Sequence, residues 1–239
     1  RIAQGKSIVH IKGEEISKIQ IKYPSDKEQQ KILSFIELLS LKIEKQGQLI
    51  DKLKKYKRGL LSALFPKKRE ITPQYRFAGF TKPWEQRKLG EVGSVSMCRR
   101  IFKEQTSESG DIPFYKIGTF GKKADAYISK ETFDEYQSKY NFPKKGDVLI
   151  SAAGTIGRTV VYDGEPAYFQ DSNIVWIDND ESIVLNCYLR YCYELKPWKV
   201  SSGGTIQRLY NDNIAKAVIA VPPIEEQKRI VSILDRFDA

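Results

Sequence analysis

Residues 28–65 have the sequence EQQKILSFIELLSLKIEKQGQLIDKLKKYKRGLLSALF, and Pro66 follows them directly. An apolar seam recurs along this stretch in alternating steps of four and three residues, at Ile32, Ile36, Leu39, Ile43, Ile50, Leu53, Leu60 and Leu64. Gln46 and Lys57 fill the two remaining positions of the seam. A sustained heptad repeat predicts a long helix that pairs with another helix. At a rise of 1.5 Å per residue it would be roughly 57 Å long, which suits a coiled-coil spacer.

The composition is that of a basic, globular protein. The 239 residues are 41% hydrophobic, and their formal net charge is +10. A basic excess favours a polyanionic partner, either nucleic acid or an anionic membrane surface, although a solvated basic surface has the same composition. Charges interrupt every apolar run well before about 20 residues, which argues against a membrane span. Cys98, Cys187 and Cys192 are too few for a disulfide framework or a zinc site, so we expect reduced thiols in the cytoplasm.

Two segments of the chain repeat one another. Residues 5–39 (GKSIVHIKGEEISKIQIKYPSDKEQQKILSFIELL) align without a gap with residues 203–237 (GGTIQRLYNDNIAKAVIAVPPIEEQKRIVSILDRF), at an offset of 198. Pro24 matches Pro222, and Gln29 matches Gln227. This spacing is too long for a solenoid repeat. It predicts that a whole unit was duplicated, with a strand, a proline-marked turn and a long helix in each copy.

The repeat divides the chain into five predicted segments. These are the tail of a first globular unit (1–27), the coiled-coil helix (28–66), a connector (67–83), one complete globular domain (84–222) and the start of a second heptad helix (223–239). Because a whole domain separates the two heptad helices, they can lie antiparallel. The second helix then supplies the partner that the first one needs.

Strand and helix patterns alternate within the complete domain. Apolar or alternating runs bounded by Gly, Pro, Asn or Asp predict strands at residues 112–117, 148–151, 159–162 and 174–177, and residues 16–23 alternate in the same way. Helices are predicted at residues 129–140 and 185–195, with a short helix or turn at residues 89–95. The mixture predicts an α+β fold with a twisted, mainly antiparallel sheet and flanking helices, joined to the long helix.

Four polar loops are candidates for contact with DNA, because glycines let the backbone approach a ligand and polar side chains donate to phosphates or base edges. SAAGTIGR and SSGGTIQR contribute Ser151, Gly154, Thr155, Arg158, Ser202, Gly203, Thr205, Gln207 and Arg208. The segment 116–122 and QDSN contribute Lys116, Thr119, Lys122, Gln170, Ser172 and Asn173. Gln207 has the amide that suits adenine, and Arg208 has the guanidinium that suits guanine. Taken alone, SAAGTIGR fits a tight hairpin turn equally well.

The sequence offers no catalytic constellation. It lacks a Gly-x-Ser-x-Gly elbow and a Walker-type phosphate loop, and its only histidine is His10. Asp163 and Glu165 lack a following lysine at nuclease-like spacing, and Val221–Ile224 lacks the flanking residues of an amino-methyltransferase motif. We therefore predict no catalytic residue, no metal and no cofactor in this chain.

Several stretches together resemble the specificity subunit of type I restriction-modification enzymes. In chain order they are IQIKYPSDKEQQKILSFIELLSLKI, WEQRKLGEV, IPFYKIGTF, KKGDVLISAAGTIGR and IAVPPIEEQKRIVSILDRFDA. Their order and the duplication make the resemblance specific, and it covers essentially the whole chain. Such a subunit has two target recognition domains, whereas this chain has one and the tail of another. With Arg1 as its first residue, it is expected to be a fragment or a half-subunit that dimerises.

The resemblance implies a non-catalytic protein that recognises one half of a bipartite DNA site and scaffolds the other subunits. In this family an antiparallel helix pair fixes the gap between the two halves. Methylation subunits carry the S-adenosylmethionine chemistry, and restriction subunits carry ATP- and Mg²⁺-dependent translocation and cleavage. The expected partners are duplex DNA, these two kinds of subunit, and a second half-subunit or second copy through the coiled coil.

Two other classes of function stay open at this point. A coiled-coil adaptor that binds only protein would show no salt-dependent DNA affinity, despite the net charge of +10. A stand-alone nuclease or methyltransferase would show activity when the purified chain is given Mg²⁺ or S-adenosylmethionine. Binding and activity measurements therefore separate the three classes.

Overall fold

A computed structural model describes residues 12–67, 70–199 and 207–238. The chain separates into two units, Arg1–Lys54 and Lys55–Ala239. Helices and mainly antiparallel strands occur together, and a long helix lies in the N-terminal part, so the predicted α+β fold is confirmed. No helix within the described ranges is both long enough and apolar enough to cross a membrane.

The first unit contains helix α1 (Gly13–Ser17) and most of helix α2 (Asp26–Leu64). Helix α2 has 39 residues and covers the predicted heptad stretch. Glu28 binds the residue before the helix: the Ser25 hydroxyl and backbone N–H donate to Glu28 Oε2 at 2.7 and 3.0 Å, and the second of these bonds is one half of a capping box. These two bonds lower the pKa of Glu28. The start of the helix is therefore set by local sequence alone.

The second unit contains the end of α2 and a mixed domain. Its described strands are β1 (Glu85–Lys88), β2 (Gly93–Ser96), β3 (Ile112–Tyr115), β4 (Tyr127–Ile128), β5 (Val148–Ser151), β6 (Thr159–Val161), β7 (Tyr168–Phe169), β8 (Ile174–Asn179) and β9 (Val218–Val221). Its further helices are α3 (Leu89–Val92), α4 (Lys130–Lys139), α5 (Asn186–Glu194), α6 (Asn211–Ala215) and α7 (Ile224–Leu234). The sheet orders are β2-β8-β5-β6, β1-β9 and β4-β3-β7, and only β3 and β7 are paired in parallel among these described strands.

The strand predicted at residues 16–23 is wrong. Ile16 and Ser17 belong to helix α1, and residues 18–25 contain no strand. In the second copy of the repeat, part of the equivalent segment forms β9, whose backbone groups pair with those of β1. A strand is stabilised only when its backbone groups find a partner. The described residues provide such a partner for the second copy and none for the first.

Strands β5 and β8 are buried on both faces, which explains their uninterrupted apolar sequences. Side chains alternate between the two faces of a strand. Ile150 and Val175 pack in a first core with the end of α2 and helices α5 and α7. Leu149 and Trp176 pack in a second core with β3, β7 and α4. The two strands therefore form the rigid centre of the second unit.

The end of α2 and the segment that begins with α7 run antiparallel within the second unit. Lys57 Nζ lies 2.7 Å from Asp238 Oδ1. Eight residues later, the ring of Phe65 meets the ring of Trp84 edge-on, with 6.2 Å between their centroids. Trp84 Nε1 in turn donates to Glu226 Oε2 at 3.1 Å, near the start of α7. Lys57 thus lies beside the end of the segment that begins with α7, and Phe65, further along the chain, lies close to its start. The two segments therefore run in opposite directions.

The connector between α2 and β1 is anchored by a buried ion pair. Arg76 donates from Nε and Nη2 to the two carboxylate oxygens of Glu226, at 3.0 and 2.9 Å. Glu226 is 1% exposed, and Trp84 donates to the same carboxylate. Phe77 packs against the first core. These contacts hold the connector against the domain.

Candidate nucleic-acid interface

Four loops meet at one edge of the central sheet. Ser151 at the end of β5 pairs with Ile174 at the start of β8, and Ile150 pairs with Thr159 at the start of β6. Because these strands are antiparallel, the loops leaving β5 and entering β6 and β8 share an edge. Strands β3 and β7 are parallel, so their carboxyl ends point the same way. We call residues 116–122, 152–158, 170–173 and 207–208 the loop cluster.

Ser151 shapes the loop that it precedes. Its hydroxyl donates to the carbonyl oxygen of Thr155 and accepts from the Arg158 N–H at 2.9 Å. Ser151 is 2% exposed, so this hydroxyl is used inside the protein. Gly154 and Gly157 have φ angles of +62° and +78°, a region that favours glycine. The segment is thus a tight hairpin turn, which was one of the two interpretations of SAAGTIGR. Gly154 and Thr155 remain exposed in it.

Arg158 joins this hairpin to the neighbouring loop. Its Nη1 donates to the carbonyl oxygen of Phe120 at 2.8 Å, and its Nη2 lies 3.5 Å from the Thr155 hydroxyl. One edge of the guanidinium is therefore engaged by the protein. The half-buried side chain is held at a defined place with its charge uncompensated by any carboxylate of the described residues.

The loop 116–122 has one anchored lysine and one free lysine. The Thr119 hydroxyl accepts from the Lys116 N–H at 3.1 Å, which keeps it within its own loop. Lys116 Nζ lies 2.8 Å from Asp125. Lys122 is exposed, and its ammonium group has no polar partner among the described residues. Of these predicted contacts, Lys122 is the most available to a ligand.

The loop 170–173 is tied to two of its neighbours. Gln170 Oε1 accepts from the Ile117 N–H at 2.9 Å, and the carbonyl oxygen of Ser172 accepts from Arg208 Nη2 at 2.9 Å. Ser172 is held at a φ of +53°, which is uncommon for a residue other than glycine. The side chains of Ser172 and Asn173 are half-buried and have no hydrogen-bond partner among the described residues. They remain able to bind a ligand.

The charge of the loop cluster is positive. Lys122, Arg158 and Arg208 each lack a carboxylate within 4.0 Å in the part of the chain that the structure describes. Asp171 is an acidic residue within the cluster, and Arg100 Nε neutralises it at 2.8 Å. We did not predict this ion pair from the sequence. Asp171 lies inside the predicted loop QDSN, so an acidic partner for a nearby cation could have been expected there.

The structure brings together the predicted residues of the four loops that it describes. Ser202, Gly203 and Thr205 lie outside the described residues. Ser151, Thr119 and Gln170 use their side-chain oxygens to hold the protein backbone, so they position the loops. The side chains with spare polar capacity are those of Lys122, Thr155, Arg158, Ser172, Asn173, Gln207 and Arg208.

The site has the groups for binding but shows no arrangement for metal chemistry. Burial raises the pKa of the Cys98 thiol, near Phe169 and Asp171, to about 12. This thiol therefore stays protonated at neutral pH and is a poor nucleophile or ligand. Within residues 12–67, 70–199 and 207–238, no group of three or more His, Cys, Asp or Glu side chains is placed to hold a metal ion. Amide, hydroxyl and guanidinium donors are the groups that bind phosphates and base edges.

Comparison with known families decides the class of the protein. The model of the family described as type I restriction modification DNA specificity domain matches residues 81–239, the range that contains all four loops. The chain belongs to this family. The resemblance found in the sequence motifs is therefore confirmed, and the loop cluster lies within the specificity domain.

Curated relatives carry the same description. A protein named as a type I restriction enzyme specificity subunit of Haemophilus influenzae is 69% identical over 150 residues, covering 63% of this chain and 39% of that one. The type I restriction enzyme MjaIX specificity subunit of Methanocaldococcus jannaschii is 26% identical, covering 93% of this chain and 54% of that one. The chain thus spans 39% and 54% of the lengths of these two relatives.

Solved structures show the same fold at low sequence identity. The S subunit of a type I restriction-modification system from M. genitalium superimposes with a TM-score of 0.60 at 15% identity, covering 99% of this chain and 61% of that one. The HsdS subunit from Thermoanaerobacter tengcongensis gives a TM-score of 0.54 at 20% identity, covering 98% of this chain and 56% of that one. These likenesses concern the fold.

Proposed function

We propose that this chain recognises one half of a split DNA sequence through the loop cluster and catalyses no reaction itself. One observation carries the proposal: four donor-rich loops converge on one edge of a rigid sheet. Lys122, Arg158 and Arg208 in these loops have no carboxylate partner among the described residues. Phosphate contacts position a protein on DNA, and amide or guanidinium contacts to base edges specify the sequence.

We assign the chemistry of the complete enzyme to partner subunits. Methylation subunits would carry S-adenosylmethionine, and restriction subunits would carry ATP and Mg²⁺. The present chain would supply sequence recognition and a scaffold for both. Its cysteines are free thiols, as is usual for a protein that works in the cytoplasm, and we place it there.

Residues 12–25 are proposed to close a first recognition unit. The supporting observation is that the repeat extends to structure: α1 and α6 begin at Gly13 and Asn211, and α2 and α7 begin at Asp26 and Ile224. Both pairs are separated by the same 198 residues as the aligned sequences. A turn so similar in both copies is expected to serve the same architectural purpose twice.

Two equivalent glutamines, Gln29 and Gln227, make the same hydrogen bond in the two copies of the repeat. Gln29 Nε2 donates to the carbonyl oxygen of Pro24 at 2.8 Å, and Gln227 Nε2 donates to that of Pro222 at 2.9 Å. Gln227 also donates to the carbonyl oxygen of Ile183 and accepts from the Leu185 N–H, each at 2.9 Å. The Gln29 side chain makes neither of these two further hydrogen bonds within the described residues. We propose that Gln29 binds an equivalent loop of the first recognition unit.

The seam of α2 is proposed to pair with a second long helix. In the first unit, Ile32, Ile36 and Ile43 are 50%, 53% and 72% exposed, which is unfavourable for apolar side chains in water. The antiparallel course of the end of α2 and the segment that begins with α7 supports an antiparallel partner. The partner helix would belong to the same parent chain or to a second copy. Such a pair would set the gap between two DNA half-sites.

Base-resolution mapping of methylated DNA tests this function. The chain is combined with its methylation subunit, and the modified bases are identified on genomic DNA. We expect a split motif with a gap of fixed length. Identical inverted halves would indicate a second copy, and two different halves would indicate a two-domain parent. A contiguous motif, or the absence of sequence-dependent methylation, would contradict the proposal.

A further inference from the structure

A basic cleft lies beside the loop cluster, between the end of α2 and the end of α5. Its volume is about 860 Å³, and its lining includes the cations Arg58, Lys67, Arg158 and Lys196. A neighbouring cleft of about 930 Å³ shares the wall that contains Lys67 and Lys196 and adds Lys199, as well as Lys216, which is paired with Asp212 at 2.9 Å. We call Arg58, Lys67, Arg158, Lys196 and Lys199 the basic strip.

The charge of this strip is not balanced by the protein around it. The side-chain cations of Arg58, Lys67, Arg158 and Lys196 have no carboxylate within 4.0 Å among the described residues. The Glu70 carboxylate, in the second cleft, accepts from the Lys67 backbone N–H at 3.3 Å. The acidic residue of the first cleft, Glu194, is already 3.0 Å from Lys57 Nζ. Many other cations of the second unit do have a partner, for example Arg190 with Asp235 at 2.6 Å.

Local structure explains only part of this arrangement. The carboxyl end of a helix favours a nearby cation, and both α2 and α5 end at the cleft, just before Lys67 and Lys196. That effect stabilises one cation for each helix end. It does not account for Arg58, which precedes the last turn of α2, or for Arg158, which comes from the loop cluster.

We infer that the basic strip binds the phosphates of the same DNA duplex whose bases the loop cluster recognises, an inference that rests on the proposed function. The cleft and the loop cluster are continuous, because Gly157 and Arg158 line the cleft and belong to the hairpin 152–158. A duplex seated on the loops would therefore bring its sugar-phosphate backbone to the end of α2. Like charges gathered around a cleft repel one another, and a polyanion removes that repulsion.

Phosphate contacts have a distinct signature in solution. Each neutralised phosphate releases bound counterions, so the slope of log Kd against log salt changes by about 0.9 for each contact. Contacts of this kind act on every sequence equally. The strip should thus set affinity and salt dependence, while the loop cluster sets sequence preference.

The test compares two triple variants of the full chain. Arg58→Gln, Lys67→Gln and Lys196→Gln remove three charges of the strip. Lys130→Gln, Lys139→Gln and Lys228→Gln remove three charges elsewhere, each of which has a carboxylate partner. Binding to a preferred and to an unrelated duplex is measured by fluorescence anisotropy between 50 and 200 mM salt, and thermal unfolding shows that both variants fold.

We expect the strip variant to lose affinity for both duplexes by the same factor, with a salt slope smaller by about 2 to 3. In the control variant, the slope of log Kd against log salt should decrease clearly less than in the strip variant. An unchanged slope in the strip variant would overturn the inference, and so would a changed ratio between the two duplexes. Retained DNA affinity with loss of assembly with the methylation subunit would assign the strip to an acidic protein surface instead. If the wild-type chain binds no DNA, the proposed function itself fails.

Discussion

Arg208 Nη2 donates to the carbonyl oxygen of Ser172 at 2.9 Å, and this bond ties together two loops that are 36 residues apart in sequence. One nitrogen of the guanidinium is therefore committed to the protein. The remaining donors can bind a base edge or a phosphate while the bond to Ser172 fixes their direction. Recognition by a side chain held in this way loses little conformational entropy on binding.

Arg208→Ala should weaken binding to the preferred half-site by about 1–3 kcal/mol if the arginine contacts a base. Arg208→Lys keeps the charge but removes the planar fork, so it should restore affinity for unrelated DNA and not for the preferred sequence. Fluorescence anisotropy with both duplexes makes the comparison. Full affinity and preference in both variants would place Arg208 outside the interface.

Gly157→Ala should destabilise the hairpin 152–158 more than Gly146→Ala destabilises its own turn. Both glycines have positive φ angles, +78° and +95°, so both substitutions carry backbone strain of roughly 1–2 kcal/mol. A Cβ on Gly157 would also lie 3.0 Å from Trp198 Cζ2, whereas a Cβ on Gly146 would meet nothing within 4 Å. Chemical denaturation measures both free energies of unfolding. Equal losses would mean that Trp198 moves aside freely.

Arg76→Ala should lower the free energy of unfolding by about 3–5 kcal/mol, because it leaves the carboxylate of Glu226 buried without a cation. Glu226 is 1% exposed. The matched control is Arg87→Ala, which breaks a solvent-exposed pair with Glu85 and should cost at most about 1 kcal/mol. Denaturant titration of both variants tests this difference. Similar small losses would show that water reaches Glu226 readily.

Gln227→Ala and Gln29→Ala should behave differently although they occupy equivalent positions of the repeat. Removal of Gln227 leaves the Leu185 N–H and two carbonyl oxygens without their partner, at roughly 1–3 kcal/mol for each buried group left unsatisfied. Gln29 is exposed, and its substitution should change the stability of this chain little. Thermal unfolding compares the two. In a parent protein with both recognition units, we expect the two losses to become similar.

The ion pair between Lys57 and Asp238 should make stability depend on pH at both extremes. Burial is the largest single influence and would raise the pKa of Asp238, but Lys57, Tyr191 and Arg190 together outweigh it and lower that pKa below the usual 3.8. A lowered carboxyl pKa contributes stability above the unfolded value, and this contribution is lost as the pH falls through the folded pKa. We therefore expect the free energy of unfolding to decrease below about pH 4.

The same pair acts in the opposite direction at high pH. Burial is the largest single influence and would lower the pKa of Lys57, but the hydrogen bonds to Asp238 and Glu194 and the negative charges of both carboxylates together outweigh it and raise the pKa above the usual 10.5. This contribution is present below the unfolded pKa of Lys57 and is lost as the pH rises through its folded pKa.

The variant Asp238→Asn tests the low-pH effect. It should reduce the decrease in the free energy of unfolding below about pH 4 by at most about 1 kcal/mol, because the pair is partly exposed. Asp134→Asn, in an exposed pair with Lys130, is the control and should leave this decrease unchanged.

The sequence predicts best the elements that a single physical rule determines. Strand β5 lies at the predicted residues 148–151, because its apolar run can only be buried on both faces. Helix α2 begins two residues before the predicted start, directly after Ser25, whose backbone N–H donates to Glu28. In contrast, β1 has the polar sequence EQRK and was missed, since only backbone pairing with β9 makes it a strand.

The candidate site was predicted as a set of residue types, and its geometry was not. The convergence of the four loops depends on strand order, which no local pattern in Ser151–Arg158 or Gln170–Asn173 reveals. The separation of roles within the loops also requires coordinates. Gln170 and Thr119 have side chains as suitable for DNA as that of Gln207, yet they bind the protein backbone.

Selection from a random duplex library tests the central claim most directly. The purified chain is equilibrated with the library at about 0.1 M salt, and the bound fraction is sequenced over successive rounds. We predict enrichment of one short motif by the wild-type chain and loss of that motif by Arg208→Ala, with binding to unrelated DNA retained. Binding without any enriched motif, or the same motif in both proteins, would contradict recognition through the loop cluster.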